Sequence, residues 1–439
     1  MIEKLKTVKA EPPFLVRESS LVKIKLAADR NPDLVFTSIA HRIDLHLLKR
    51  SYKEINKSKS AGIDKITAKE YGDNLDGNLF ALHSRLIQGK YQACPVKRIW
   101  IDKEGGKKRP IGIPSFEDKI VQKAVAILMS MIFDVNFYDF SYAFRSGFNQ
   151  HMAIHQIREN CFSSRVNWIV SADITGLFDN IDHKLLIEII KKRVNDGNIL
   201  KLIGKWLKAG VFENDSVSYS DKGTPQGGVI SPVLSNIFLH HVLDDWLSQT
   251  VSKHMKGKCF VIRYADDFIL GFEAKEDALK VMEVLPKRFN RYGLELHPDK
   301  TQMIPFGKPG RTHTGKGLNT FDFLGFTFYW GKSLKGNWVI KKKTIGKRLR
   351  RSMTRLWEWC KDNRHLNIKE QYDILCDKLR GYYQYYGVRS NYKSLEAVYQ
   401  YLYRAWRYWL SKRGSNKTVF FDDLKSKFAL PKPRIVHNI

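Results

Sequence analysis

The chain has 439 residues, with 75 Lys and Arg against 45 Asp and Glu, and therefore a formal charge of +30. An apolar fraction of 43% excludes disorder throughout and allows folded domains of roughly 100 to 200 residues each. So large a positive charge predicts a polyanionic partner, and 10 Trp, 19 Tyr and 25 Phe add rings on which bases can stack. Nucleic acid is the first candidate and an anionic membrane surface the second.

The chain begins with a polar, basic segment that contains one helical stretch near residues 43–55, and loop residues follow at 57–64. From residue 168 to about residue 331, short strands alternate with helices, as in α/β or α+β architecture. After Lys341 the pattern becomes helical and rich in Arg, Tyr and Trp. This change predicts a separate all-α module.

No segment has the pattern of a membrane span or a disulfide framework. The longest apolar run, 124–133, is interrupted by Ser130 and is far shorter than the ~20 residues a span requires. The N-terminus lacks the continuous apolar stretch of a signal peptide. The five cysteines are scattered without ligand spacing, so we expect reduced thiols and no structural zinc. We expect a cytoplasmic protein without membrane association.

An adjacent pair of carboxylates, Asp266 and Asp267, lies between two apolar runs within residues 259–272. This pattern predicts a β-hairpin with acidic residues at its tip, where the tight bend lets at least Asp266 face a site. The alternative is a solvated turn, because turns favour Asp.

A second carboxylate, Asp173, comes near the end of a predicted strand that starts at Trp168 and is followed by a Gly turn. Asp182 then caps a helix that begins near His183. Carboxylates brought together from this strand and the hairpin would repel one another unless hard cations such as Mg²⁺ neutralise them. Two such ions could activate an attacking 3′-oxygen and stabilise a leaving pyrophosphate. The chemistry predicted is nucleotidyl transfer.

Five motifs then occur in a distinctive order, and two further motifs precede them. The five lie at 173–183 (DITGLFDNIDH), 223–232 (GTPQGGVISP), 264–267 (YADD), 296–301 (LHPDKT) and 323–326 (FLGF). Their order and spacing resemble those of reverse transcriptases, and the chain resembles the reverse transcriptase/maturase proteins of bacterial group II introns. Residues 107–114 and 141–147 resemble the fingers motifs of that family, and residues 60–64 its N-terminal extension. The resemblance runs from about residue 43 to the C-terminus.

This resemblance implies an α+β fold of the right-hand polymerase type, with fingers, a palm that carries an antiparallel sheet, and a helical thumb. The implied divisions are an N-terminal extension at 1–60, fingers at 61–160, a palm with embedded fingers elements at 161–335, a helical thumb or maturase (X) domain at 336–412, and a C-terminal tail at 413–439. Many family members append an endonuclease domain after the thumb, and we expect this chain to lack it.

Carried over residue by residue, the resemblance implies that Asp173, Asp266 and Asp267 are the catalytic carboxylates. The main-chain carbonyl of Ile174 is an additional implied metal ligand. The implied cofactors are two Mg²⁺ ions, with Mn²⁺ able to substitute for them.

The resemblance also implies a set of nucleotide-binding residues. Phe178 would exclude the ribose 2′-hydroxyl as a steric gate, the alternative being a Phe packed in the core. Gln226 would pack near the incoming nucleotide, and Arg109 and Lys103 would clamp its triphosphate, although a solvated surface lysine is the alternative for Lys103. Lys300 matches the family lysine that protonates the departing pyrophosphate.

The C-terminal module is basic on one helical face and apolar on another. Between residues 341 and 360 there are eight Lys or Arg residues and one Glu, and apolar residues recur there every three to four positions. A second apolar stripe runs from Leu395 to Trp409. We expect the apolar positions to form a core. The predicted RNA-binding residues are Arg348, Arg350, Arg351, Arg404 and Arg407.

The sequence thus predicts an RNA-directed DNA polymerase whose partners are an RNA template, a DNA or RNA primer and deoxynucleoside triphosphates. We also expect it to bind a group II intron RNA and to assist its splicing and mobility. One alternative is a domesticated reverse transcriptase of CRISPR-associated, defence or retron type. The other is an RNA-binding splicing factor with an unused polymerase site, which is disfavoured because Asp173, Asp266, Asp267 and Gln226 are all present.

Overall fold

The computed structural model describes residues 13–102, 108–163, 165–213, 215–224, 227–310, 312, 314, 317–413 and 421–439. The chain divides into two compact units, each made from three separated stretches. The first contains Met1–Phe148, Asp173–His254 and Val281–Pro298, and the second contains Asn149–Ala172, Met255–Lys280 and Asp299–Ile439.

The α-helices of the described residues are distributed along the whole chain. They are α1 Pro13–Arg30, α2 Leu45–Glu54, α3 Ala68–Asp73, α4 Leu75–Ile87, α5 Phe116–Phe133, α6 Gln150–Ser163, α7 Leu177–Asn180, α8 His183–Lys191, α9 Gly197–Leu207, α10 Ser231–Leu239, α11 Lys275–Asn290, α12 Gly346–Asp362, α13 Ile368–Tyr386, α14 Tyr392–Leu410 and α15 Phe421–Lys427. The helix predicted near 43–55 is confirmed as α2, which begins where the Asp44 side chain accepts a hydrogen bond from Leu47 N–H.

The strands of the described residues are short. They are β1 Val96–Asp102, β2 Lys108–Ile113, β3 Trp168–Thr175, β4 Val211–Glu213, β5 Ser216–Ser218, β6 Cys259–Tyr264, β7 Asp267–Phe272, β8 Glu295–Leu296, β9 Gln302–Pro305, β10 Phe321–Phe323, β11 Phe326–Lys332 and β12 Trp338–Thr344. One sheet has the order β2-β1-β4-β5, a second β10-β11-β12, and a third β6-β7-β3-β8 with β9 also paired to β3. Antiparallel pairs predominate, which together with the helices confirms the α+β class.

α5 is the central buried helix of the first unit. Thirteen of its eighteen residues are buried, and Ser115 caps it by accepting a 3.1 Å hydrogen bond from Asp118 N–H. An α-helix that is apolar on nearly every side belongs in a core. Three polar side chains are nevertheless buried on it, namely Asp118, Lys119 and Gln122. Each of them has a hydrogen-bond partner, as a buried polar group requires.

The second unit contains a three-helix core formed by α12, α13 and α14. The predicted apolar stripe on α14 is confirmed, because Leu395, Val398, Leu402 and Trp406 are all fully buried. The indole of Trp406 donates a 2.8 Å hydrogen bond to Oε1 of Gln371 on α13, which satisfies its one polar atom. These helices begin after β12, which ends at Thr344, and they share their compact unit with several strands, so a separate all-α module after Lys341 stays a prediction.

The last residues of the chain run as an extended segment along the end of α13. The backbone N–H groups of Val436 and His437 both donate to the carbonyl of Gly387, at 2.7 and 2.9 Å. Leu430 is buried beside the three-helix core. The sequence did not predict the short helix α15 that precedes this segment.

Candidate functional site

A cavity of about 460 Å³ in the first unit brings together residues that lie far apart in the sequence. Its lining includes Arg109 from β2, Phe178 from α7, and Gly227 with Gly228 from the segment that precedes α10. These positions come from three of the motifs on which the sequence interpretation rests. The fold therefore gathers them around one space.

Close packing of two backbones places Gly227 beside the strand that carries Arg109. Gly227 has φ of +109°, and a Cβ atom there would lie 2.6 Å from the carbonyl oxygen of Gly112. Only glycine fits such a position. Arg109 itself pairs with Ile101 in the hairpin of β1 and β2. Arg109 therefore lies on the same strand that Gly227 touches.

Phe178 lines the cavity, whereas the residue before it, Leu177, is buried in the core. Gly176 adopts a left-handed conformation with φ of +54°, and the short helix α7 follows immediately. Leu177 is 2% exposed, whereas Phe178 is half-buried and lines the cavity. The backbone of α7 is also tied to the motif at 223–232, since Thr224 N–H donates to the carbonyl of Phe178 at 2.6 Å.

Cationic side chains that the sequence analysis did not single out form another wall of this cavity. Lys119 and Lys123 of α5 line it together with Lys59. Lys119 Nζ donates a 2.8 Å hydrogen bond to the carbonyl of Ser60, and Lys123 pairs with Glu54 at 2.9 Å. Burial lowers the pKa of Lys119. No local pattern distinguishes these lysines from the many surface lysines of so basic a chain.

The N-cap of α10 lies one residue earlier than the Ser-Pro pair at 231–232 indicates. Ser231 followed by Pro232 reads as an N-cap and a first helical residue, but the N-cap is Ile230 and Ser231 is already helical. Ile230 has φ of −85° and ψ of −23°, so its backbone already lies in the helical region. The prediction at this position was therefore wrong by one residue.

In the second unit, the predicted hairpin is confirmed. β6 and β7 pair in antiparallel register up to Tyr264 and Asp267, which leaves Ala265 and Asp266 as a two-residue turn. Ala265 has φ of +58°, an uncommon conformation for a residue with a side chain. Asp266 and Asp267 are half-buried, so neither belongs to a freely solvated turn.

A buried arginine supports this turn and was not anticipated. Arg263 is fully buried on β6, and its Nη1 donates a 3.2 Å hydrogen bond to the carbonyl of Ala265. The apolar neighbours of Arg263 in the sequence give no signal for such a role, since they predict only a strand. Its guanidinium braces the strained residue at the tip of the hairpin.

Asp173 and Ile174 are buried near the end of β3, in the part of that strand that belongs to the first unit. The carbonyl of Asp173 accepts a 2.8 Å hydrogen bond from His297 N–H, and Ile174 pairs with Leu296. The motif at 296–301 is thereby held against the end of β3. Lys300, which belongs to the second unit, is exposed in the turn before β9.

Over the part of the chain that the structure describes, no group of three His, Cys, Asp or Glu side chains is arranged to hold a metal ion. Lys103 and Gln226 lie outside the described residues. Across those residues, no helix combines the length and apolar character needed to cross a membrane.

The five arginines predicted to bind RNA all have exposed side chains. Arg348, Arg350 and Arg351 lie on α12, and Arg404 and Arg407 on α14. The apolar residues between them, such as Leu349 and Met353, pack instead against the three-helix core. Each helix thus separates a packed face from a cationic one.

The end of α13 contacts the turn between β10 and β11, within the second unit. Tyr385 Oη donates a 2.8 Å hydrogen bond to the carbonyl of Leu324, and the rings of Tyr385 and Phe326 stack at 6.0 Å. Burial raises the pKa of Tyr385 to about 12, with further upward contributions from Tyr264 and Asp267 that Arg348 opposes.

The α+β fold, with an antiparallel hairpin tipped by carboxylates and a helical module after it, is that of a right-hand polymerase. Residues 101–328 match the family model for reverse transcriptase (RNA-dependent DNA polymerase). The chain belongs to this family.

Its relatives define the type of reverse transcriptase. The chain is 29% identical to the group II intron-encoded protein LtrA of Lactococcus lactis subsp. cremoris, over 85% of this chain and 74% of that protein. It is 32% identical to the protein YkfC of Escherichia coli K12, over 58% of this chain and 75% of that protein. The putative COX1/OXI3 intron 1 protein of Saccharomyces cerevisiae is 28% identical over 60% of this chain and 37% of that protein.

These comparisons confirm the group II intron reverse transcriptase/maturase type, and with it an RNA-directed DNA polymerase. The domesticated and polymerase-free alternatives are not favoured. Enzymes of the reverse transcriptase family generally use divalent metal ions.

Proposed function

We propose that this protein adds deoxynucleotides to the 3′ end of a DNA or RNA primer on an RNA template, with Asp173, Asp266 and Asp267 as its catalytic carboxylates. The primer 3′-oxygen attacks the α-phosphorus, a new P–O bond forms, and the bond to the leaving pyrophosphate breaks. The observation that carries the proposal is the cavity in which Arg109, Phe178 and the Gly227–Gly228 backbone meet.

The proposed carboxylates have the right chemistry for two Mg²⁺ ions, for which Mn²⁺ can substitute. Mg²⁺ is usually held by one or two carboxylates together with substrate phosphates, rather than by a cage made only of protein ligands. The half-buried oxygens at the tip of the hairpin, the carboxylate of Asp173 and the carbonyl of Ile174 suit that role. When bound, the ions would lower the pKa of the primer hydroxyl and neutralise the pyrophosphate.

The cavity suits a nucleoside triphosphate in size and charge. Arg109 supplies a guanidinium fork for phosphate oxygens, and Lys103 is proposed to act beside it. Phe178 presents a ring where a ribose 2′-hydroxyl would project, so deoxynucleotides are preferred. Gln226 precedes the glycines of the cavity wall and is proposed to contact the incoming base pair.

Proton transfer to the leaving group is assigned to Lys300. An exposed ammonium in a turn can approach the departing pyrophosphate and donate a proton to it, while an accepting group or water takes the proton of the primer hydroxyl. This assignment predicts that Lys300→Ala lowers kcat more than it weakens nucleotide binding.

Recognition of RNA is assigned mainly to the cationic faces of α12 and α14. Exposed arginines on a helix can form bidentate contacts with phosphates, and the charge of +30 favours any RNA at low salt. The relatives named for group II introns support an intron RNA as the partner. We infer that binding it assists splicing and mobility of that RNA.

Single-turnover primer extension on an RNA template tests this function. Wild-type protein should incorporate deoxynucleotides only with Mg²⁺ or Mn²⁺ present, and Asp266→Asn should lower the rate constant of incorporation by at least 100-fold while binding primer–template normally. Asp322→Asn, which alters an exposed carboxylate on β10, serves as the matched control. Wild-type activity in Asp266→Asn would refute the assignment.

A further inference from the structure

Gln122 is a buried polar side chain in the middle of the apolar helix α5. It is 4% exposed, and its Oε1 accepts a 2.8 Å hydrogen bond from the backbone N–H of Val229. The two residues are 107 positions apart in the chain, so this bond links distant segments. An unbonded polar group here would carry a large desolvation cost, so the bond is a strong local constraint.

The face of α5 that carries Gln122 is also a wall of the nucleotide cavity. Lys119, Gln122 and Lys123 are spaced at i, i+3 and i+4, which places them side by side on one helical face. Lys119 and Lys123 line the cavity, and so do Gly227, Gly228 and Val229. The bond from Val229 to Gln122 therefore joins two walls of the same cavity.

The segment that Gln122 holds is anchored at its other end by backbone contacts. Gly223 N–H donates to the carbonyl of Ile181 at 2.8 Å, and Thr224 N–H donates to that of Phe178. At the other end, the N–H group of Val229 donates to the side chain of Gln122 and not to a backbone carbonyl. Gln122 thus adds a side-chain contact to the restraint that this end receives from the start of α10 at Ser231.

We propose that Gln122 is a positioning residue of the nucleotide site, which holds the Gly227–Val229 segment at contact distance from the incoming nucleotide. The inference rests on the proposed function of the cavity. Gln122 acts through the segment and does not touch the reacting atoms. Its loss should weaken productive nucleotide binding more than it slows the chemical step.

Two substitutions separate the hydrogen bond from side-chain size. Gln122→Met keeps the length of the side chain but removes the acceptor oxygen, whereas Gln122→Glu retains an acceptor. In single-nucleotide incorporation on an RNA template, Gln122→Met should raise the KM for the deoxynucleotide about 10-fold. Its kcat and its affinity for primer–template should stay within about 3-fold of wild type. Gln122→Glu should keep KM within about 3-fold of wild type.

The matched control is Gln371→Met in the second unit. Gln371 is 1% exposed, accepts a 2.8 Å hydrogen bond from the indole of Trp406 and donates to the carbonyls of Arg364 and Leu366, so this variant loses several such bonds far from the cavity in sequence. It should lower the midpoint of thermal unfolding and leave the nucleotide KM unchanged. Loss of stability alone therefore cannot produce the result expected of Gln122→Met.

An unchanged KM in folded Gln122→Met would overturn the inference, as would an equal rise of KM in Gln122→Glu. If Gln122→Met does not fold, Gln122→Asn withdraws the amide oxygen by one methylene, and the same rise in KM is expected. A wild-type KM in that variant would also overturn it. Failure of the proposed function is a separate result, since the wild-type protein would then incorporate no nucleotide.

Discussion

The hydroxyl of Tyr385, at the end of α13, donates a 2.8 Å hydrogen bond to the backbone carbonyl of Leu324 in the turn between β10 and β11. Leu324 has φ of +46°, and Gly325 after it has φ of +85°. A leucine in the left-handed region is strained, so an external contact is needed to hold this turn. The hydrogen bond from Tyr385 provides that contact.

Removing this hydroxyl should weaken both the turn and primer extension. Tyr385→Phe is expected to lower the midpoint of thermal unfolding by about 2–4 °C, which corresponds to roughly 1 kcal/mol for one lost hydrogen bond. Extension products should also become shorter, because the turn belongs to the motif at 323–326. Calorimetry and product-length analysis measure the two effects. Tyr408→Phe removes the hydroxyl of a tyrosine that is 45% exposed and should change neither.

Shortening Phe178 should change the choice of sugar. Phe178→Ala opens space in the cavity, so the ratio of kcat/KM for deoxynucleotides to that for ribonucleotides should fall by at least 10-fold. Steady-state incorporation of both sugars measures this ratio. Phe133→Ala in the buried face of α5 is the control, and it should lower stability by about 3–5 kcal/mol without changing the ratio. An unchanged ratio of kcat/KM for the two sugars in folded Phe178→Ala would show that Phe178 is not a steric gate.

Neutralising the cationic face of α12 should reduce the salt dependence of RNA binding. For single-stranded RNA, each lost phosphate contact removes about 0.7 from the slope of log affinity against log salt, so replacing Arg348, Arg350 and Arg351 together by Ala should flatten the slope by about 2. Filter binding at several salt concentrations measures it.

A second triple variant controls for the change in net charge. Lys280 and Lys287 are exposed on α11 and Arg291 is exposed directly after it, and replacement of all three by Ala removes the same number of charges. The slope should change less in this variant than in the α12 variant. Equal changes in both would mean that α12 makes no particular contact with RNA.

Lys342 should make stability depend on pH in an alkaline window. Burial on β12 lowers its pKa from 10.5 to about 8, with Arg158 adding to the shift and Glu159 opposing it. Between pH 8 and 10.5 the unfolded chain binds the proton that the folded chain releases, so the free energy of unfolding rises with pH in that window. Below pH 8 the buried charge carries its full cost, about 3 kcal/mol for this shift.

Lys342→Met should therefore be more stable than wild type at pH 7, and its advantage should disappear by about pH 10.5. Chemical denaturation at pH 7, 8.5 and 10.5 measures the difference in the free energy of unfolding between the two proteins. Lys343→Met changes the neighbouring exposed lysine and should show little pH-dependent difference from wild type. If Lys342→Met were still more stable than wild type at pH 10.5, its gain in stability would come from side-chain packing and not from removal of a buried charge.

Local features were predictable from the sequence because they depend on near neighbours. The hairpin around Asp266 follows from two apolar runs and a turn, and the cap by Asp182 is confirmed by its hydrogen bond from Leu185 N–H. The buried face of α14 follows in the same way from a spacing of three to four residues.

Features that depend on distant segments were not predictable. Gln122 and Lys119 look like ordinary polar residues of a helix, and Arg263 looks like a strand residue that faces solvent. Gln122 and Lys119 meet their partners, Val229 and Ser60, only when the fold brings those segments against α5. Arg263 meets the carbonyl of Ala265 only when the turn after β6 forms. Each compact unit is assembled from three separated stretches, so a pattern read along the chain does not contain these contacts.

The contact between Gly227 and the carbonyl of Gly112 limits what evolution or engineering can place at this wall of the cavity. In a saturation library selected for activity, position 227 should accept no residue but glycine, because even a methyl group would meet backbone rather than a flexible side chain. Gly89 also has a positive φ but faces open space, so Asn and Asp should survive there. Variants with altered nucleotide preference must therefore be sought at the side chains around Gly227.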